Sequence, residues 1–350
     1  MSGAPEELAE RLGRVLSDRW SAPTEVSGLH RLSGGASRET WAFVATPGDG
    51  PERRLVLQRE RPGGVRTGGG MAAEGELVAL AGAAGVPVAA VVATDRGGDE
   101  LGAPFVISGH VDGETIPRKL LRDDTFAPVR PLLARQAGRA LGHIHLMPTE
   151  PMQGILDDGD QIGQFRTILD VLGEPHPAFE LGLRWLDARR PTRRTTTIVH
   201  GDFRTGNLIV DRTGLVAVLD WELAHLGDPV EDLGWFCVRA WRFGSPERAG
   251  GFGPLSELLA GYGEVTGVDV DPDEVRWWEA MGTLKWGVMC VIQAATHLGG
   301  ASRSVELAAI GRRAAENEWD LLELIRCPHR TTGRPRRSWW RPSASSSRAT

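Results

Sequence analysis

Between residues 200 and 207 the chain reads HGDFRTGN, setting His200, Asp202 and Asn207 in the spacing His-x-Asp-x-x-x-x-Asn. Thirteen residues beyond Asn207 an apolar run ends on Asp220. A carboxylate followed five residues later by an amide can orient an acceptor hydroxyl, take its proton and offer an oxygen to magnesium, and Asp220 offers a second, charged ligand. Phosphoryl transfer from ATP asks for little covalent help, because it is catalysed by positioning and charge cancellation. Turn capping would account for Asp202 or Asn207 alone, but neither for their spacing nor for the strand-borne aspartate that follows.

Short β-rich runs must hold these groups still. Residues 197–199 and 208–210 flank the loop, and 215–219 returns after the turn DRTG, so each polar residue falls at a strand end. Upstream, residues 4–20 carry Leu8, Leu12 and Val15 at helical spacing. Strands are predicted at 39–45, 54–59 and 105–108, with a helix over 71–84 between the last two. From Asp124 onward the pattern turns to amphipathic helices, the clearest at 131–145. The expected organisation is an N-terminal helix (1–24), a strand-rich lobe (25–110), a larger helical lobe (111–326) and a basic tail (327–350). Residues 108–113, SGHVDG, read as the hinge between the lobes.

Composition narrows the partners. Of 350 residues, 41% are hydrophobic and 25% charged, an ordinary globular makeup. The formal charge is −6, yet residues 327–350 hold six arginines and no acid, leaving 34 basic against 46 acidic residues in the body. An acidic body repels phosphate backbones, so no nucleic acid is expected as main partner. The Arg/Ser/Pro-rich tail reads as a disordered, solvated appendage. Cys237, Cys290 and Cys327 form no Cys-x-x-Cys pair, no secretory pattern opens the chain, and no apolar run is long enough for a membrane span. A cytoplasmic protein is expected, its oligomeric state unspecified.

The stretches IVHGDFRTGNLIV (198–210) and VLDWELAHLGDPVEDLGW (218–235) resemble the aminoglycoside phosphotransferase and choline kinase-like superfamily. This form looks most like the kinase-like domain associated with some acyl-CoA dehydrogenases. The resemblance spans roughly residues 25–325 and is more specific in the second lobe than in the first. It implies an α+β, bilobal protein-kinase-like fold with ATP and Mg2+ in the cleft. Asp202 would be the catalytic base, with Asn207 and Asp220 as metal ligands. His200 and Arg204 join Asp202 in the catalytic set, His200 orienting the loop and Arg204 facing the transferring phosphoryl group or an anionic substrate.

Further positions carry over by the same resemblance. Ser33, Gly34, Gly35, Ala36 and Ser37 fall where the family covers the nucleotide phosphates with a hairpin, and glycines there let backbone N–H groups approach oxygens. Gln58 falls at the place of the family's phosphate-binding lysine or arginine. This is a departure, since a neutral amide cannot offset triphosphate charge, and adjacent Arg59 is the expected substitute. Glu74 resembles the acidic partner of that cation. Ser108 and His110 are expected at the nucleotide from the hinge. Asp232 resembles the buried aspartate that braces the loop from below, and His145 matches a structural position. Tryptophans 235, 241, 277, 278, 286 and 319 would be mostly core, some lining the acceptor pocket.

A kinase acting on a small-molecule hydroxyl is the expectation, with a hydroxyacyl thioester as the favoured acceptor. An aminoglycoside or amino-alcohol kinase is the nearest alternative, and Gln58 keeps open a weakly active nucleotide-binding protein. An acyl-CoA dehydrogenase is excluded on content, because the folded chain is already taken up by kinase-like lobes and leaves no room for a flavin domain.

Overall fold

The computed structural model describes residues 3–32, 38–60, 70–191 and 195–326. The predicted phosphate hairpin at Ser33–Ser37 and the basic tail lie outside these residues.

Helix α1 (Gly3–Trp20) precedes strands β1 (Thr24–Arg31), β2 (Arg38–Pro47) and β3 (Arg53–Glu60). Helix α2 (Gly70–Ala83), β4 (Val91–Asp95) and β5 (Phe105–Gly109) complete the small lobe. Its sheet has the order β1-β2-β3-β5-β4, antiparallel throughout. Because side chains alternate across a strand, Phe43, Ala45, Leu55, Leu57, Phe105 and Ile107 form one apolar face. That face is buried against Leu8, Leu12, Val15 and Leu16 of α1. The helix that the sequence sets apart as a separate segment thus supplies four of the eleven buried residues of this lobe's core. Helix α2 covers the opposite face, so closely that a Cβ on Gly75 would fall 2.7 Å from Val106. The Glu60 carboxylate ties α2 to β3 by accepting the Met71 N–H at 3.0 Å, a favourable place for negative charge at a helix start.

The large lobe begins with α3 (Pro117–Arg122), α4 (Arg130–His145), α5 (Gln161–Leu172) and α6 (Pro177–Asp187). The strands β6 (Thr197–Val199), β7 (Leu208–Val210), β8 (Leu215–Val218) and β9 (His225–Gly227) follow. It ends with α7 (Val230–Cys237), α8 (Leu255–Thr266), α9 (Pro272–Leu298), α10 (Val305–Gly311) and α11 (Ala314–Arg326). Leu133, Ala137, Leu141 and Ile144 of α4 meet Phe203, Leu208, Val210, Leu233 and Phe236 in one buried cluster, so the loop at 200–207 rests on helices at its back. Glycines let α4 and α8 approach backbone to backbone: a Cβ on Gly138 would lie 2.1 Å from the Leu258 carbonyl oxygen. Past the hinge, Glu114 and Val210 exchange both backbone hydrogen bonds, at 2.9 and 3.0 Å, which fastens the connecting segment to the strand leaving the loop. This is the bilobal, protein-kinase-like α+β fold.

Candidate active site

Strands β6 and β9 pair, as do β7 and β8, so the loop between β6 and β7 is anchored at both ends. Its sharp entry needs Gly201, which has φ +77° and where a Cβ would collide with the Leu223 carbonyl oxygen at 2.3 Å. Beneath it, fully buried Asp232 accepts the N–H groups of His200 (2.7 Å) and Gly201 (2.9 Å) and a hydrogen bond from His145 Nε2 (3.1 Å). Burial pushes the Asp232 pKa up, but His145 and the charge and donors around His200 outweigh it, and the carboxyl ends below its ordinary value.

Asp202 is held from three sides. Trp235 Nε1 donates to Oδ1 (3.1 Å), Asn207 Nδ2 to Oδ2 (2.7 Å), and Arg204 Nε to both oxygens (3.1 Å each). With its nitrogen committed to Asp202, the Asn207 amide turns its oxygen the other way. The Asn207 backbone carbonyl accepts the Leu219 N–H at 2.9 Å, locking the residue before Asp220 to the loop. Asp220 itself has φ +64°, a left-handed conformation that aspartate tolerates better than most residues but still at a cost of about 1 kcal/mol or more. Burial and neighbouring Glu222 push its pKa up to about 6, with Arg38 pulling the other way.

Arg38 is the centre of a charged cluster that joins the lobes. Its Nη1 donates to Glu74 Oε1 (2.8 Å) and its Nη2 to Glu222 Oε2 (2.7 Å), with Asp220 Oδ1 at 3.6 Å. One guanidinium thus faces three carboxylates. Burial disfavours its charge, yet Glu74, Glu222 and Asp220 together raise its pKa. Burial likewise drives the Glu74 pKa upward, the Arg38 contact opposing it.

Two sequence expectations change here, those for Arg59 and Glu74. His200 is wholly buried, with Nε2 donating to the Leu219 carbonyl (3.1 Å), Nδ1 accepting the Asp202 N–H (3.2 Å) and the Trp221 ring packed against it at a 50° tilt, centroids 4.6 Å apart. Burial depresses its pKa, and both ring nitrogens are taken by backbone groups of the chain, an arrangement that suits a neutral ring. Arg59 does not replace Gln58: strand parity puts it on the other face of β3, where it binds Glu39 (2.8 Å) and the Leu101 carbonyl (3.1 Å). Glu74 does not pair with a β3 cation but with Arg38 of β2.

The remaining positions are simpler to place. Gln58 sits opposite Thr40 on the α2 side of the sheet. Ser108 pairs with Val56 and Val91 within it, and His110 lies between Arg54 and Asp112. Sequence reasoning passed over Arg38, Trp235 as a donor to Asp202, and Lys285, whose Nζ donates to the Gly201 carbonyl at 3.0 Å. Arg38 had one signal, its place directly after the glycine-rich stretch. From Arg204, whose guanidinium lies 4.9 Å above the Trp241 ring, an aromatic row runs through Trp235, Trp241 and Trp286 with neighbouring centroids 5.2 and 4.9 Å apart. Trp319, by contrast, is 61% exposed.

Residues 28–278 match the phosphotransferase enzyme family APH, and the chain belongs to that family. Among curated proteins it is similar to acyl-CoA dehydrogenase family member 10 of Mus musculus, 32% identical over 203 residues. It is also similar to the probable acyl-CoA dehydrogenase IBR3 of Arabidopsis thaliana, 27% identical over 254. These matches cover 53% and 65% of this chain but 18% and 30% of those longer proteins. Among solved structures, a putative aminoglycoside phosphotransferase from Ralstonia eutropha superposes with a TM-score of 0.73 at 21% identity, covering 91% of this chain and 98% of that one. A choline/ethanolamine kinase family protein from Mesorhizobium loti gives 0.56 at 22%, covering 86% and 89%. At these identities the structural likeness speaks for the fold.

Proposed function

We propose that this chain transfers a phosphoryl group from ATP, with magnesium, to the hydroxyl of a small molecule, and that Asp202 is the proton acceptor. The observation that carries this reading is the joining of Asp202, Asn207 and Asp220: the Asn207 side-chain amide donates to the base, and the Asn207 backbone carbonyl accepts the N–H of Leu219, the residue before Asp220. Membership of a phosphotransferase family supports it.

Among the described residues no three His, Cys, Asp or Glu side chains form a ready-made metal cage. Magnesium needs none, since it is commonly held by one or two side chains with phosphate oxygens and water completing the octahedron. Asn207 and Asp220 suit that role, and the two-charge surplus of carboxylates around Arg38 suits a divalent cation. ATP supplies the phosphoryl group and magnesium offsets its charge. Asp202 orients the acceptor hydroxyl and takes its proton, held by Trp235 and Asn207 so that its lone pairs stay aimed.

For the acceptor, we favour a hydroxylated acyl thioester. The similarity to proteins named as acyl-CoA dehydrogenases supports the choice; Trp235 and Trp241, 2% and 5% exposed, belong to the core and offer an acceptor little surface. Arg204 adds a cation for an anionic carrier. An aminoglycoside or amino alcohol is the competing acceptor. No described helix is long and apolar enough to cross a membrane.

The metal assignment is tested by calorimetry of ATP with and without magnesium. Asn207→Ala and Asp220→Ala are each expected to lower the magnesium-dependent part of the affinity about tenfold or more, since each removes an oxygen proposed to ligate the ion directly. Unchanged magnesium dependence in both variants would refute it.

A further inference from the structure

We propose that Arg38, on β2, and not a side chain of β3, is the cation that meets the phosphates of the nucleotide in this chain. The inference rests on the phosphotransferase reading and names a residue for the charge that reading requires.

The argument begins with strand parity. Thr40 pairs with Gln58 and Glu39 with Arg59, so Arg38, Thr40 and Gln58 share one face of the sheet and Glu39 and Arg59 the other. On the shared face β3 offers a neutral amide. Its neighbouring cation is turned away and doubly occupied, by Glu39 and by the Leu101 carbonyl. Two residues along β2 from the position opposite Gln58, Arg38 supplies the missing charge on the correct side.

Where the guanidinium points is the second observation. Among the described residues, Arg38 is the basic side chain that forms an ion pair with Asp220, and it reaches there from the small lobe across to the residues that follow β8. Only 12% of its side chain is exposed, yet it faces more carboxylates than one charge can balance. A purely structural ion pair would be complete with Glu74. Instead one edge of the fork is fixed by Glu74, on α2, while the other is turned on Glu222 beside Asp220, where phosphates and their metal would be bound. A planar fork with five N–H donors can keep Glu74 on one edge while phosphate oxygens replace Glu222 on the other, and Glu222 is then free to face the divalent cation. Gln58 ceases to be a defect: a second cation on that face would compete with Arg38 for Glu74.

The test measures ATP and adenosine affinities by calorimetry on the full chain, for the wild type, Arg38→Gln, Arg38→Lys and Arg59→Ala. Adenosine carries no phosphate, so a residue that only supports the cleft would affect both ligands alike. Arg38→Gln is expected to weaken ATP about ten- to a hundredfold, the scale of lost charge-assisted hydrogen bonds, and to leave adenosine within about twofold. Arg38→Lys should fall between Arg38→Gln and the wild type, and Arg59→Ala should match the wild type. Should Arg38→Gln not fold, the ATP-selective loss is read from Arg38→Lys. ATP affinity unchanged in the Arg38 variants, an equal loss for both ligands, or a loss confined to Arg59→Ala would overturn the proposal while leaving the phosphotransferase reading standing. A wild type that binds no ATP would overturn both.

Discussion

Asp202→Asn is expected to lower turnover by about two orders of magnitude or more, with ATP affinity nearly unchanged. The amide keeps the shape of the side chain but cannot accept a proton at neutral pH. It also presents an NH2 group where the carboxylate now receives Trp235, Asn207 and Arg204, so at least one of these donors loses its acceptor. The proposed nucleotide contacts, Arg38, Asn207 and Asp220, all remain, which is why affinity should persist. Steady-state turnover paired with calorimetry checks the split. A variant as fast as the wild type would remove Asp202 from the chemistry, and a large parallel loss of ATP affinity would make it a structural residue.

Asp232→Ala carries the largest expected effect on stability, about 3–5 kcal/mol in urea unfolding. Three donors converge on this carboxylate at 2.7–3.1 Å in a site sealed from water, two of them backbone N–H groups of the loop itself. Truncation strands all three. Asp232→Asn should lose less, retaining one accepting oxygen, but in the same direction. Because the folded-state pKa lies below the ordinary aspartate value of about 3.9, this carboxylate stabilises the fold fully above that range and loses its contribution as pH falls through the folded pKa. The acid limb of the stability profile should therefore flatten in both variants. A destabilisation under about 1 kcal/mol would show that the loop does not depend on this brace.

What the sequence made legible, and what it hid, follow from the range of the interactions. The spacing of His200, Asp202, Asn207 and Asp220 is local, and so are the residue patterns that mark β2, β3, β5 and α4. Strands β1 and β4 escaped because they are edges of the sheet. Their exposed sides blur the alternation, and Gly28, at φ +63°, interrupts β1. Arg38 escaped for a different reason: its partners lie 36 and 184 residues away, and only the seating of α2 and the closing of the two lobes bring them together. Arg59 misled because adjacency in sequence is opposition in a strand. His200 has the residue type of a proton-transfer group, but its burial behind the loop depends on Trp221 and the Leu219 carbonyl, which spacing alone does not reveal.

The central claim, phosphoryl transfer to a hydroxyl, is tested most directly by following phosphorus resonances while the protein is incubated with MgATP and separate acceptors: a hydroxyacyl-CoA, an amino alcohol, a sugar and an aminoglycoside. The account predicts a new phosphoester signal with the hydroxyacyl thioester, growing in step with ADP and abolished by chelating magnesium. A phosphoester with the aminoglycoside alone would overturn the acceptor assignment, and the absence of any phosphoester from a protein that binds ATP would contradict the account as a whole.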